Sequence, residues 1–367
     1  MQFDPSLYNQ QLSDKTVEIK TLFKSHSLPE IEVFTSPTLN YRMRAEFRIW
    51  HDGNDLYHIM FDQQSKQKLR VDQFPPASEL INALMLEMMA CLRNNAILRT
   101  KLFQIDYLTS LSGEAVVTLV YHKPLDDLWQ AQAEQLQARL RQQYFVNIIG
   151  RARKQKQVLD RDFVIEKLEI KDVEYVFKHV ENSFTQPNAV VNRKMIEWTQ
   201  ACSAHLSGDL IELYCGAGNF SIPLAAHFDN VIGTEIAKPS VEAALYNIDA
   251  NKINNLNIVR LSAEEFVTAI RGERAFNRLK DIDLTRYNFS TVLVDPPRAG
   301  LDIDSTKLIA EFDSIIYISC NPLTLKSNLD QLCRTHTIQK FAIFDQFPYT
   351  PHIESGVFLQ RTELNES

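Results

Sequence analysis

Short apolar runs, each closed by turn-forming or charged residues, recur through the second half of the chain. Leu210 to Tyr214, Asn230 to Glu235, Leu256 to Leu261, Ser290 to Val294 and Ile315 to Cys320 each predict a strand buried on both faces. Between the first two, Cys215-Gly216-Ala217-Gly218-Asn219-Phe220 leads into an apolar helix from Ser221 to about Phe228. Strands alternating with helices predict a mostly parallel sheet covered on both sides. Phe341 to Phe344 and Gly356 to Leu359 then predict a closing hairpin around the loop Asp345 to Glu354.

The first half is patterned differently. Arg42 to Trp50 and Leu56 to Phe61 flank the turn Asp52 to Asp55, and Gln104 to Thr109 and Glu114 to Tyr121 flank Leu111 to Gly113, so both pairs predict hairpins. Ser78 caps an amphipathic helix over Glu79 to Arg93, whose Met stripe reads as core. Leu125 to Gln142 predicts a polar-faced helix, and strands follow at Val146 to Gly150, Gln157 to Leu159 and Phe163 to Ile170. These features predict a mixed α/β domain. Neither repeats nor low-complexity segments interrupt them, and the boundary is expected near residues 172–182.

Candidate chemistry gathers at the ends of the second-half strands, where open α/β sheets bind their ligands. Gly216 and Gly218 let the backbone pass close to a ligand. Glu235 follows at about the 20-residue spacing that brings a carboxylate to ribose hydroxyls. A nicotinamide dinucleotide and S-adenosylmethionine both need that acid. Ser221 fills the third slot of G-x-G-x-x-G, against a pyrophosphate pressed onto the helix, and Asp295-Pro296-Pro297-Arg298 favours the methyl donor. Cys320 ends a buried strand, and Asn321-Pro322 starts a helix or turn. A thiol at a helix N-terminus has its pKa lowered, which predicts a nucleophile; the alternative is a small buried residue.

The runs Asn182 to Asn188, Leu213 to Phe220, Asp295 to Arg298, Ser319 to Pro322 and Phe347 to Glu354 carry a resemblance over essentially the whole length. In them the chain resembles the TrmA-type tRNA (uracil-5-)-methyltransferases of the RNA 5-methyluridine methyltransferase family. The resemblance implies an α/β protein with two domains. Residues 176–367 would form a Rossmann-like class I S-adenosylmethionine methyltransferase domain, and residues 1–175 a mixed α/β (α+β) RNA-binding domain. It implies a cytoplasmic enzyme that methylates C5 of the T-loop uridine of tRNA, giving ribothymidine, and acts on the equivalent loop of tmRNA. Gln186, Tyr214, Asn219, Glu235 and Asp295 match donor-binding positions, Cys320 the nucleophile and Glu354 the proton acceptor. Tyr214 stands where some relatives carry phenylalanine.

The residues suit that chemistry. A thiolate adding to C6 of uracil breaks the ring conjugation and leaves an enolate at C5, which attacks a sulfonium methyl; a carboxylate then removes the C5 proton. Arg298 is a candidate to stabilise charge on O4 or O2, or else a salt-bridge partner at a strand end. Phe103 and Tyr107 are candidates to stack on a flipped base, or else core.

Composition narrows the alternatives. The five cysteines, 91, 202, 215, 320 and 333, lack metal-ligand spacing, so neither a metal site nor disulfides are expected. Relatives acting on ribosomal RNA carry four N-terminal cysteines for an iron–sulfur cluster, whereas only Cys91 precedes residue 200 here. Met1 to Pro5 does not read as a signal peptide, and no run reaches membrane-span length, so no membrane partner is expected. No obligatory protein partner is evident.

The net charge of −7 is unusual for an RNA binder. Residues 1–180 hold 23 basic and 23 acidic side chains, so the excess lies beyond them. Basic clusters at Arg42, Arg44 and Arg48, at Arg99 and Lys101, and at Arg151, Arg153, Lys154 and Lys156 are the candidate phosphate contacts. Two other classes compete: an RNA-folding module with a vestigial site, and a different methyltransferase. A cytosine-5 RNA enzyme would want cysteine in the Asp295 to Arg298 segment, and an N6-adenine enzyme an aromatic at Arg298.

Overall fold

The computed structural model describes residues 3–62 and 65–362. Met1 and Gln2 of the N-terminal stretch considered above lie outside them. The chain divides into two compact units. One comprises Pro37–Lys167 and Lys178–Ala189, with residues up to Pro5; the other comprises Ser6–Ser36, Leu168–Phe177 and the residues from Val190 onward. This differs from a single cut near 172–182. Ile31–Phe34 runs parallel to and pairs with His336–Phe344, a partnership across the whole sequence that no local pattern announces. The helix Tyr8–Leu22 precedes it, and Tyr8, Leu12 and Ile19 belong to the core of the second unit.

The first unit is built on a seven-stranded sheet. Its spatial order is Lys68–Arg70, Asp55–Phe61, Arg44–Asp52, Leu102–Thr109, Glu114–Tyr121, Phe145–Ala152 and Gln155–Val158. Both predicted hairpins form, and Glu114–Tyr121 runs parallel to Phe145–Ala152 across the helix Asp127–Leu140. Burial alternates along Arg44–Asp52, so Ala45, Phe47 and Ile49 face the core while Glu46, Arg48 and Trp50 face solvent. The core side is covered by Asp127–Leu140 and by Glu79–Leu92, which starts where the Ser78 hydroxyl accepts the Ile81 N–H at 3.2 Å. Met85 and Met88 are fully buried, so the Met stripe is core. Gly150 is required by packing: a Cβ there would stand 2.4 Å from the Trp129 ring.

In the second unit the sheet has eight strands. Counted from Asp209–Leu213 in chain order, seven of them lie in the spatial order 3-2-1-4-5-7-6, and Ile31–Phe34 adds an eighth at the edge. Strands one to five are parallel; the seventh, Glu354–Arg361, runs antiparallel between Ser314–Ser319 and His336–Phe344. Asp209–Leu213 and Ser314–Ser319 are buried at every position, as strands covered on both faces must be. The helix expected from Ser221 to Phe228 is shorter, Ser221–Leu224 followed by a tight turn Ala225–His227. The strand order reverses between Asp209–Leu213 and Phe289–Val294, which opens a crevice at their carboxyl ends.

Candidate active site

Register sets the site. Leu213 lies beside Thr234 on one flank and Val294 on the other. Tyr214, Glu235 and Asp295 are therefore the first residues beyond three adjacent parallel strands. On the antiparallel side Ser319 pairs with Ser355, so one further step of that ladder sets Cys320 opposite Glu354. Glu354 is the first residue of its strand rather than part of the preceding loop, and also pairs with Phe344. Two residues 34 apart in sequence are thus brought to the same end of one antiparallel pair, just past the Ser319–Ser355 pairing.

The glycine turn is built for close approach. Tyr214, Gly216 and Gly218 all have positive φ (64°, 56° and 81°), and a Cβ on Gly216 would point into open space. Glu235 Oε2 accepts the Gly216 N–H at 3.1 Å and Oε1 the Ala237 N–H at 2.6 Å, which ties the second-strand acid to the turn. Asn219 exchanges two amide hydrogen bonds with Asn192, at 2.8 and 2.9 Å. Gln186 lies in the segment grouped with the first unit, three residues before the helix Ala189–Ser203 begins.

The electrostatics around Cys320 correct one sequence expectation. Asn321 caps the helix Pro322–Leu332, so the thiol does stand at a helix N-terminus. Burial nevertheless pushes it up to about 11, with Glu354 and Asp295 adding to the rise and Arg298 opposing it. Desolvation and two carboxylates outweigh one helix dipole. Burial likewise raises Glu354 to about 8, with help from Asp295, and Asp295 itself to about 7. The crevice is a nest of acids that prefer protons until positive charge arrives.

Arg298 is exposed and lines a cleft of about 390 Å³ together with Lys15, Cys320, Leu323 and His352. Its carbonyl accepts the Asn321 side-chain N–H at 2.9 Å, which fastens the proline turn to the cysteine turn.

Three residues at or beside the site escaped the sequence reading. Glu212 is buried inside its strand, raised to about 8 by burial, and hydrogen-bonded by the Ser221 hydroxyl. An acid within an apolar run was its visible signal. Asn192 and Lys15 had none, because their partners are distant in sequence.

The basic clusters of the first unit are largely committed internally. Arg99 donates to the carbonyls of Gly53, Asn54, Asp55 and Arg93, and Arg151 and Lys156 pair with Glu181 at 2.6 and 3.3 Å. Tyr107 is buried against His58, which removes it as a stacking candidate. Phe103 stays partly exposed, 4.2 Å from the His122 ring centre, with the Arg48 guanidinium 5.1 Å from its own ring centre.

Strand order, glycine turn and second-strand acid define a class I methyltransferase fold. The comparisons narrow this. The tRNA (Uracil-5-)-methyltransferase family model matches residues 7–362. The tRNA/tmRNA (uracil-C(5))-methyltransferase of Vibrio cholerae O395 is 56% identical over 361 residues, covering 98% of each chain. The protein of the same name from Pseudoalteromonas atlantica is 56% identical over 360 residues, covering 98% of this chain and 99% of its own. The chain belongs to the tRNA (uracil-5-)-methyltransferase family. Its fold is shared by the Pyrococcus abyssi tRNA (uracil-54, C5)-methyltransferase solved with S-adenosyl-L-homocysteine, with TM-score 0.70, 21% identity and coverage of 96% of this chain and 83% of that one.

Glu235→Ala is expected to weaken donor binding by about 1–3 kcal/mol, the range for leaving ligand hydroxyls unpaired. Titration calorimetry checks it, and unchanged affinity removes Glu235 from the ligand set.

Proposed function

We propose that this chain methylates C5 of the T-loop uridine in tRNA, and of the equivalent loop in tmRNA, with S-adenosylmethionine as donor and a transient covalent bond from Cys320 to C6. The observation that carries the reading is the register that opposes Cys320 and Glu354 beside the end of the Asp295 strand. The curated relatives named for this reaction cover the full length of the chain, which supports the substrate class. A donor would lie across the turn at Gly216 to Gly218, with Glu235 toward its ribose and Tyr214, Asn219 and Asp295 around the remainder. Bound there, it supplies an electrophilic methyl on a positively charged sulfur.

The chain's own groups do the rest. Positive charge in the acid-lined crevice draws protons from Cys320, Asp295 and Glu354, since each is held protonated by burial or by its anionic neighbours. The Cys320 thiolate adds to C6, and the ring π electrons move onto C5 and O4. Arg298, on the cleft wall, stands where it can balance that charge. C5 takes the methyl group. Glu354 then accepts the C5 proton, the C5–C6 double bond re-forms, and the thiolate leaves. One proton is released for each methyl transferred.

In the first unit, the partly exposed Phe103, the exposed His122 and the Arg48 guanidinium form an aromatic and cationic patch. Such a patch supports recognition of unstacked RNA bases. Incubating a T-arm RNA with donor and enzyme, then digesting it to nucleosides, should yield 5-methyluridine by mass spectrometry. A methyl group found on another base, or on cytosine, overturns the reading.

The raised carboxyls give the reaction a pH sign. Glu354 must be ionised to accept a proton, and its pKa of about 8 lies above the ordinary carboxylate range. kcat/KM, which reports the free enzyme, should therefore rise most steeply with pH below about 8, where both Glu354 and Cys320 still have to ionise, and less steeply above it, where only the thiol does. A profile already flat from pH 6 upward would exclude Glu354 as the base.

A further inference from the structure

The loop that joins His336–Phe344 to Glu354–Arg361 runs through nine residues, 345–353, with Tyr349 in the left-handed region at φ 63°. It delivers Glu354, yet what holds it comes from the other end of the chain. Tyr8, Gln11 and Lys15 share one face of the helix Tyr8–Leu22, at spacings of three and four. The Lys15 ammonium donates to Asp345 Oδ1 at 2.7 Å, to the Phe347 carbonyl at 3.1 Å and to the His352 carbonyl at 3.0 Å. Its three N–H groups are all used, and they grip both limbs of the loop. Gln11 Oε1 accepts the Tyr349 N–H at 2.7 Å, and the Tyr8 ring meets the Tyr349 ring edge-on at 6.3 Å.

We propose that Lys15 is a positioning residue for the reaction: its three-point clasp sets the loop that aims Glu354 at the substrate carbon opposite Cys320. The inference rests on the mechanism above for its chemistry, but not for its geometry.

Two physical points carry it. Lys15 and Asp345 are 5% and 0% exposed, and such a buried ion pair is a poor source of net stability, because apolar residues of similar size commonly do as well. A stability role alone leaves the charge unexplained; a requirement for three directed hydrogen bonds explains it. Second, Lys15 lines the Cys320 cleft along with Ile19 and Leu22, so the clasp sits at the site wall. The His352 carbonyl it holds is two residues from Glu354, close enough for a small loop shift to move the carboxylate. Misplacing a reacting group by an ångström costs about a hundredfold.

The test separates positioning from folding. Lys15→Met alone leaves Asp345 buried without its partner and is expected to lower the melting temperature. Lys15→Met/Asp345→Asn removes both charges and should recover most of that loss while still leaving the two carbonyls ungripped. In the double variant, amide exchange over residues 346–353 should accelerate about tenfold or more, while the strand from Ser355 onward keeps its protection. Release of methylated RNA from the enzyme should slow by about ten- to a hundredfold, with donor and tRNA affinity within about threefold of the parent. Unchanged loop exchange, or release at the parental rate in the folded double variant, overturns the proposal. So does equal slowing of donor binding and every later step, which would mark a general structural role. Because loop exchange is read without substrate, it judges the clasp even if the parent forms no covalent RNA complex, a result that would count against the mechanism instead.

Discussion

Cys320→Ala should bind donor and tRNA normally and transfer no methyl group. C5 of uracil is a weak nucleophile while its electrons belong to a conjugated ring, and only addition at C6 turns it into an enolate. Among the described residues that line the cleft, Cys320 is the one cysteine. Cys215 is buried beneath the glycine turn, where desolvation holds its thiol far above the ordinary value. Cys333 lies at the other end of the helix Pro322–Leu332, about 18 Å away at the rise of an α-helix. The measurement is radiolabel transfer from donor to T-arm RNA over hours, with binding followed separately. Turnover in this variant would rule out the covalent route and leave a direct transfer to be explained.

Glu354→Gln should divide the reaction at its last chemical step. Cys320 attack and methyl transfer need no base at C5, so both proceed; the C5 proton then has no acceptor, and the thiolate cannot leave. The expected product is a protein–RNA complex that carries the methyl label and survives denaturing electrophoresis. Glutamine keeps the size of the side chain and removes its charge. With Glu354 neutral, the thiol also loses its largest electrostatic opponent, so adduct formation should not be slower than in the parent. His352 is the one other titratable group in the loop that faces the cleft, and burial, Arg298 and Lys15 all lower its pKa. It is neutral near physiological pH and available as an acceptor. Rapid release of ribothymidine by Glu354→Gln would point to His352, and intact binding without any adduct would remove Glu354 from the base role altogether.

Much of the site was legible because its signals are local. The apolar run before Cys320 reads as a buried strand wherever it lies in a fold, and the glycine turn and Glu235 belong to one strand–turn–helix–strand unit. The hairpins of the first unit were equally plain, since alternation and turn residues sit within about ten positions of each other. The thiol was misjudged for the opposite reason. A helix N-terminus is visible in Asn321-Pro322, but the desolvation and the two carboxylates that outweigh it are not. Phe103 and Tyr107 are four positions apart on one strand, yet a register irregularity between Leu102 and Gln104 leaves the first ring partly exposed while the second is buried.

The sequence by itself determined the strand–helix alternation, the glycine turn, and which residue types could perform addition, charge balance and proton removal. It did so because periodicity, turn chemistry and nucleophile type are properties of neighbouring residues. Only the tertiary structure decided that Glu354 opposes Cys320, that Asp295 raises both Glu212 and Glu354, and that Lys15 of the helix Tyr8–Leu22 lines the Cys320 cleft. Those facts depend on hydrogen-bond register and on burial between residues as much as 338 positions apart, and local pattern carries no information about which distant segment fills a given space.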